Sequence, residues 1–181
     1  MPESVREKTL AQKTLYTGKI LNLRVDDVEL PGGKPAIREV VEHKPAVGIL
    51  PVLGDGTILL IRQHRYAVGE DMLEIPAGIL EENEPFEDAA RRELQEEIGY
   101  YPEKLAEIGR IYNSPGFSTE LMTLFVATGL RPSKLQEDDD EFISVVPLSR
   151  EEIPALIAGG TLRDAKTFAA LSWFMAFGRD L

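Results

Sequence analysis

The stretch from Gly78 to Tyr100 constrains this chain more than any other, because it combines a helix pattern with a cluster of carboxylates. Apolar residues recur every four positions within it, which predicts a helix that packs on one side. Pro85 suits the first position of that helix, and Gly99 suits the position just past its end. The apolar stripe consists of Phe86, Ala90, Leu94 and Ile98.

Three glutamates lie beside this stripe. Glu93, Glu96 and Glu97 are spaced i, i+3 and i+4, so their side chains share one patch of helix surface. A solvated helix face would explain a bare run of glutamates. Oxygen ligands without nitrogen or sulfur, however, suit hard cations such as Mg²⁺ or Mn²⁺. Arg92 lies on the same helix and is placed to orient one of these carboxylates.

Charge and composition exclude several classes of function. The formal net charge of −11 makes duplex nucleic acid a poor ligand, because that binding depends on lysines and arginines. The same charge would repel a pyrophosphate unless divalent cations bridge the two. The chain has no cysteine, which excludes disulfides and thiolate metal sites. It shows no signal peptide and no apolar run of transmembrane length, so we expect a cytoplasmic protein without a membrane partner.

The rest of the sequence predicts mostly strands before and after this helix. We expect a loose arm or short helix over residues 1–12, then a hairpin that turns at Pro31-Gly32-Gly33. A second hairpin, with buried strands, is expected from residues 46–53 and 57–62 around Gly54-Asp55-Gly56. Further strands are expected at residues 72–76, 104–112, 121–128 and 142–146.

Helices are predicted for the C-terminal part. Ser149 and Glu152 fit a capping box before a helix over residues 153–158. Asp164 is a suitable cap for a second helix, whose aromatic residues Trp173, Phe174 and Phe177 we expect in the core. Strands interleaved with helices predict a mixed sheet between helices, in the α/β class.

The central stretch resembles a known signature, the Nudix box. The matching residues are Gly78, Glu84, the run Arg92-Glu93-Leu94-Gln95-Glu96-Glu97, and Gly99, all at the spacing of the box. Only Tyr100 departs from it, since an aliphatic residue is usual there. Nudix hydrolases cleave nucleoside diphosphates linked to another moiety. The resemblance implies an α/β/α sandwich with a mixed sheet, plus a small N-terminal antiparallel β subdomain. We therefore expect domains at residues 1–43 and 44–181.

Further strings resemble the ADP-ribose pyrophosphatase branch of this family. They are REVVEH at residues 38–43, IRQHRYAVGED at 61–71, EIPAG at 74–78 and DAKT at 164–167. Pro115 lies fifteen residues after the box, a spacing associated with that branch. The resemblance implies hydrolysis of ADP-ribose to AMP and ribose 5-phosphate. Alternatives are another nucleoside diphosphate sugar, a dinucleotide such as NADH, or a catalytically idle domain that senses nucleotide.

The branch also implies a metal site. Carried over by position, Glu93 and Glu97 are the principal ligands of Mg²⁺ or Mn²⁺, and Glu96 is a further or water-mediated ligand. The backbone carbonyl of Ala77 completes the set. The reaction implied is attack of a metal-activated water on one phosphorus of the pyrophosphate.

The implied substrate contacts are weaker. Arg65 occupies the position of a pyrophosphate contact, although a surface ion pair would also explain it. Arg38 is expected at the adenine or ribose, in a site that a partner subunit completes, or else on an exposed strand face. Pro115 lies in the turn Asn113-Ser114-Pro115-Gly116, and Glu120 after it is expected at the terminal ribose.

An acidic run at residues 137–141 is the last candidate. Five consecutive carboxylates usually form a solvated loop. In the resembling branch an acidic residue of the corresponding loop positions or deprotonates the attacking water, which makes Glu141 the first candidate and Asp139 the second. The branch also packs its small N-terminal β unit between subunits, so we expect a two-fold homodimer.

Overall fold

The computed structural model describes residues 6–136 and 142–178, and these divide into two compact units. We call them the N-terminal unit and the main unit. The N-terminal unit falls within Met1–Lys44 and Tyr112–Leu121, and the main unit within Pro45–Ile111 and Met122–Leu181.

The N-terminal unit is built on a three-stranded antiparallel sheet. Its strands are β1 (Lys8–Thr17), β2 (Leu21–Glu29) and β3 (Pro35–His43), in the order β1-β2-β3. The turn between β2 and β3 contains Gly32 at φ 94° and Gly33 at φ 85°, a backbone region that glycine enters without steric cost. The expected hairpin at this turn and the expected N-terminal antiparallel sheet are therefore confirmed.

Strand β1 corrects one expectation. The loose arm or short helix expected over residues 1–12 is wrong from Lys8 onward, because β1 pairs with β2 along its length. Every residue of β1 is exposed. A strand with no buried face carries no alternation of apolar and polar residues, and pairing with β2 decides its conformation instead.

A segment distant in sequence extends this unit. Val41 N donates to the Phe117 carbonyl at 2.7 Å, and Thr119 N donates to the Val41 carbonyl at 3.0 Å. The turn before it is closed by Ser118 N, which donates to the Ser114 carbonyl at 2.9 Å. Residues 112–121 thus belong with β3, and the expected division into residues 1–43 and 44–181 did not place them there.

The main unit contains two sheets. A four-stranded sheet has the order β7-β4-β9-β8, with β4 parallel to β9 and antiparallel to β7, and a three-stranded sheet has the order β10-β5-β6. The strands are β4 (Ala46–Pro51), β5 (Ile58–Arg65), β6 (Glu70–Glu74), β7 (Ala77–Ile79), β8 (Tyr100–Tyr112), β9 (Leu121–Pro132) and β10 (Ile143–Leu148).

The expected hairpin of β4 and β5 is only partly present. The turn is tight, since Leu53 N donates to the Thr57 carbonyl at 2.8 Å, and both strands are largely buried as expected. Beyond one bridge between Val52 and Ile58, however, β4 and β5 enter different sheets. The reason is that β7 and β9 already occupy the two edges of β4.

Among the described residues, three helices cover the two faces of these sheets: α1 (Phe86–Glu97), α2 (Ile153–Ala158) and α3 (Ala165–Phe177). Alternate residues of β4 belong to two separate apolar clusters. Val47 and Ile49 pack in a cluster with residues of α1, whereas Leu50 packs in a cluster with residues of α3. This arrangement confirms the expected α/β/α sandwich. No helix within the described residues is long and apolar enough to cross a membrane.

The helix ends follow the sequence closely. Pro85 is the cap of α1 rather than its first residue, and Gly99 follows the helix at φ 74°. The capping box of Ser149 and Glu152 opens a 3-10 turn (Arg150–Glu152) that leads into α2. Phe177, expected in the core, is 71% exposed, because it is the last residue of α3.

Candidate active site

Helix α1 places two glutamates on its buried side. Glu93 and Glu97 are only 7% and 4% exposed, alongside the buried Ala90 and Leu94. The sequence pattern predicts these glutamates beside the apolar stripe, on a shared patch of surface. A buried carboxylate is costly unless it is paired, hydrogen-bonded or bound to a metal. Their burial therefore indicates a role other than solubility.

Both carboxylates converge on two consecutive residues of β7. Glu97 Oε2 accepts a hydrogen bond from Ala77 N at 3.0 Å. The Glu93 carboxylate lies against Gly78, where an added Cβ would come within 1.8 Å of Glu93 Oε1. Only glycine leaves room for this carboxylate, which explains why the box begins with a glycine at this position.

Arg92 holds a group of carboxylates together. Its Nε and Nη2 donate to the two oxygens of Glu84, both at 2.9 Å, and its Nη1 donates to Glu93 at 2.7 Å and Glu96 at 2.9 Å. The hydrogen bond from Arg92 lowers the pKa of Glu84, and that bond also raises the pKa of Arg92. We call Glu84, Arg92, Glu93 and Glu96 the Arg92 cluster. The orienting role expected for Arg92 is present in this geometry.

Glu84 has a structural part that sequence reasoning missed. Besides binding Arg92, it accepts a hydrogen bond from Glu81 N at 2.9 Å. Glu84 thereby ties the loop before α1 to the second turn of that helix. Its only sequence signal is its place in the box pattern. Glu84 lies in the loop and Arg92 in the helix, so their separation of eight residues does not predict a contact.

A second arginine forms a separate cluster. Arg65 Nε and Nη2 donate to the two oxygens of Glu74, both at 2.7 Å, and Glu74 is only 1% exposed. Lys166 Nζ also bonds Glu74 Oε2 and reaches Asp164 Oδ1 at 3.0 Å. We call Arg65, Glu74, Asp164 and Lys166 the Arg65 cluster. Arg65 thus makes an ion pair, which was one of the two expectations for it, but its partner is buried.

The charges of the Arg65 cluster balance one another. Burial alone would raise the pKa of Glu74, but the hydrogen bonds from Arg65 and the charge of Lys166 outweigh it, and the pKa is lowered. The hydrogen bond to Glu74 raises the pKa of Arg65, with smaller contributions from the charges of Glu97 and Asp164. The Arg65 guanidinium and the Glu97 carboxylate thus interact electrostatically, which links this cluster to helix α1.

The first turn of α3 supports the same region. Asp164 caps the helix by accepting a hydrogen bond from Thr167 N at 2.9 Å. Thr167 Oγ1 in turn accepts a hydrogen bond from Ile75 N at 2.7 Å. Ile75 lies two residues before Ala77, so α3 fixes the chain where the Glu97 contact begins. The family resemblance at residues 164–167 pointed to this turn but indicated no partner for it.

The remaining predicted site residues lie elsewhere in the chain. Arg38, on β3, donates to Glu7 at 2.9 Å and to the Ile37 carbonyl at 2.9 Å. Pro115 lies in the turn before Ser118, and Glu120 N donates to Ser118 Oγ at 3.2 Å. All belong to the N-terminal unit. Their contacts with substrate stay predictions.

The predicted base falls outside the described part of the chain, since neither Glu141 nor Asp139 is among the described residues. Within residues 6–136 and 142–178, no three acidic or histidine side chains converge closely enough to form a ready-made cation site. The donor chemistry still fits a hard cation, because two buried carboxylates, Glu93 and Glu97, lie against two neighbouring residues of β7, Gly78 and Ala77.

Comparison with known families covers nearly the whole chain. The NUDIX domain matches residues 42–171, and the nucleoside diphosphate sugar hydrolase N-terminal domain matches residues 7–41. The first match includes α1 and both arginine clusters. The second match corresponds to the three strands of the N-terminal sheet.

Individual proteins are similar to this chain over most of its length. The chain is 40% identical over 173 residues to an ADP-ribose pyrophosphatase of Bacillus subtilis, covering 94% of each chain. It is 35% identical over 175 residues to a methanol dehydrogenase activator of Bacillus methanolicus, covering 96% of this chain and 95% of that protein. A crystal structure of an ADP compounds hydrolase shares the fold, with a TM-score of 0.86 at 24% identity, covering 98% of this chain and 99% of the other. The chain therefore belongs to the Nudix family of hydrolases.

Proposed function

We propose that this protein hydrolyses the pyrophosphate of ADP-ribose to AMP and ribose 5-phosphate, with Mg²⁺ or Mn²⁺ as cofactor. The observation that carries the proposal is the convergence of two buried carboxylates, Glu93 and Glu97, on two neighbouring residues, Ala77 and Gly78. The relative named ADP-ribose pyrophosphatase, at 40% identity over most of both chains, supports the choice of substrate.

Nudix hydrolases generally use a divalent metal. Here Glu93 and Glu97 would be its principal ligands, with Glu96 and the carbonyl of Ala77 as further ligands. When bound, such a cation makes water nucleophilic at neutral pH and neutralises charge on the phosphates. The acidic surface of a protein with net charge −11 would otherwise disfavour a pyrophosphate.

The protein's own groups prepare this site. Arg92 binds Glu93 and Glu96 through one nitrogen and so holds the orientation of both carboxylates. Within the described residues Arg65 commits Nε and Nη2 to Glu74, so Nη1 is the nitrogen left for a phosphate oxygen, and the side chain is 39% exposed. Glu141, with Asp139 as second choice, is proposed to take the proton of the attacking water.

A second candidate is another nucleoside diphosphate sugar, or a dinucleotide such as NADH. The specific observation in its favour is the match of residues 7–41 to the nucleoside diphosphate sugar hydrolase N-terminal domain, a description wider than ADP-ribose. The same metal site would serve any of these diphosphates, so the choice between them depends on groups that bind the sugar and base.

A substrate panel tests both candidates. ADP-ribose, GDP-mannose, NADH and ATP are incubated with Mg²⁺ or Mn²⁺, and products are separated by chromatography. We expect the highest kcat/KM for ADP-ribose. Glu97→Gln is the inactive control, because losing one carboxylate ligand should lower the rate by several orders of magnitude. A higher kcat/KM for GDP-mannose or NADH selects the second candidate, and no turnover of any diphosphate rejects the proposal.

The N-terminal unit is proposed to form a two-fold homodimer. Its described residues leave several large apolar side chains exposed, among them Leu10, Leu15, Tyr16 and Ile37 at 52–62%. In a dimer these side chains would bury apolar surface away from water, which supports the proposal. A monomer in sedimentation at micromolar concentration would reject the dimer. The predicted contact of Arg38 with substrate across the dimer, and the cytoplasmic location, stay predictions.

A further inference from the structure

We propose that Lys166 is a positioning residue that acts on the substrate through Glu74 and Arg65. The inference rests on the proposed function, because it assigns to Arg65 a phosphate of a nucleoside diphosphate. In this arrangement the first turn of α3 determines where the Arg65 guanidinium lies. Lys166 itself touches no substrate.

The contacts form one continuous path. Asp164 caps α3 and bonds Lys166 Nζ at 3.0 Å. Lys166 Nζ bonds Glu74 Oε2, the same oxygen that accepts from Arg65 Nη2 at 2.7 Å. Glu74 Oε1 accepts from Arg65 Nε at 2.7 Å. Each group from the helix cap to the guanidinium is therefore held by the one before it.

Burial makes this path rigid. Glu74 is 1% exposed and Lys166 is 6% exposed, so water competes little for their hydrogen bonds. The side chain of Arg65 is 39% exposed, so part of it is accessible to a ligand from solvent. A long arginine side chain loses conformational freedom when it binds a phosphate. Two bonds to a buried carboxylate remove that freedom before the substrate arrives.

Lys166 is needed because of charge. Without Lys166, the buried carboxylate of Glu74 would have only the Arg65 guanidinium to compensate its negative charge. A second cation on Glu74 Oε2 holds the carboxylate in place and compensates its burial. Lys166 offsets the negative charge of Glu74, so the net electrostatic potential around Arg65 is more positive and attracts an external anion more strongly. A lysine with only a structural role would not affect Arg65 in this way.

A double-mutant cycle separates the two roles. Lys166→Met removes the charge but keeps the length of the side chain, and we expect KM for ADP-ribose to rise about tenfold with little change in kcat, because an oriented charged hydrogen bond is weakened. In an Arg65→Ala background the same change should alter KM less than about twofold. Equal effects of Lys166→Met in both backgrounds would overturn the proposal.

Matched variants control for folding. Arg163→Met removes a neighbouring cation whose partner, Glu70, is exposed, and it should leave KM unchanged. Lys166→Arg keeps the charge and the donors and should recover most of the wild-type KM. If Lys166→Met does not fold, Lys166→Gln replaces it, since glutamine still donates to Glu74 without a charge. Failure of Lys166→Arg to improve on Lys166→Met would count against positioning through Glu74.

A measurement without turnover keeps the inference distinct from the proposed function. The Arg65 Nε–H proton, assigned by its absence in Arg65→Ala, is followed by NMR hydrogen exchange. We expect exchange in Lys166→Met to be at least about tenfold faster than in wild type, because the bond to Glu74 opens more often. Unchanged exchange overturns the proposal even if ADP-ribose is cleaved. Faster exchange without any cleavage of a diphosphate rejects the proposed function alone.

Discussion

Two arginines of the main unit each bind glutamates, but the residues of one cluster are close in sequence and those of the other are far apart. Arg92 binds Glu84, eight residues away, together with Glu93 and Glu96 on its own helix. Arg65 binds Glu74 on the neighbouring strand, and Glu74 is in turn bound by Lys166, 92 residues away. The first cluster can be assembled by one local segment. The second exists only once β5, β6 and α3 have packed together.

The largest effect is expected from breaking the Arg65 cluster at its centre. Glu74→Gln leaves Arg65 and Lys166 without their shared anion and should lower the free energy of unfolding at pH 7 by roughly 3 kcal/mol. The pKa of Glu74 is lowered by folding. Its stabilisation is therefore full above its unfolded pKa of about 4.3 and is lost as pH falls through the lower folded value.

Urea unfolding of wild type and Glu74→Gln between about pH 7 and pH 3 measures this loss. The difference between the two proteins should shrink below about pH 4.3. Glu70→Gln is the control, since the partner of Glu70, Arg163, is largely exposed and should contribute little. A difference between wild type and Glu74→Gln that stays constant through the acid range would contradict the assignment.

The most direct way to disturb the Arg92 cluster is a substitution on β7 rather than on helix α1. Gly78→Ala puts a Cβ where Glu93 Oε1 now lies, so the Glu93 carboxylate must move. We expect activity or metal affinity to fall roughly 10–100-fold, the usual cost of displacing a ligand's support. Kinetics at increasing Mg²⁺ measure the change. Gly54→Ala meets no atom within 4 Å and should behave as wild type. Normal activity of Gly78→Ala would show that Glu93 is not a principal ligand.

The smallest effects are expected from two buried threonines, one whose hydroxyl has a hydrogen-bond partner and one whose hydroxyl has none among the described residues. Thr123 and Thr167 are both fully buried, but Thr167 Oγ1 accepts from Ile75 N whereas Thr123 Oγ1 has no partner among the described residues. Thr123→Val should raise the free energy of unfolding by up to about 1 kcal/mol, while Thr167→Val should lower it by about 1–3 kcal/mol. Thermal or urea unfolding of the two variants gives the signs, and equal signs would contradict the comparison.

The box helix could be predicted because its information is local. The apolar spacing predicted α1, and the i, i+3 spacing of Glu93 and Glu96 agrees with their shared contact to Arg92. The capping box at Ser149 and Glu152 was predicted on the same basis. These features depend on residues a few positions apart, which is the range over which a pattern in one sequence is informative.

Features that depend on distant partners were missed. Strand β1 has no buried face, so its sequence carries no alternating pattern that would predict it. The separation of β4 from β5 into different sheets depends on β7 and β9 pairing with both edges of β4. Similarly, nothing near Glu74 indicated that Lys166 would reach it. Arg65 could be named as a candidate by resemblance, but its orientation could not, because its partners are chosen by the fold.

The alternation of β4 between two apolar clusters has a consequence for how the sequence can change over time. Ile49 and Leu50 are adjacent in the chain but belong to different clusters, so each packs against a different set of side chains. Ile49 shares its cluster and its register with Phe125 on β9, as Leu50 does with Val126. Evolutionary drift at β4 is therefore constrained across strands rather than along the chain, and the two faces of the sandwich can diverge separately.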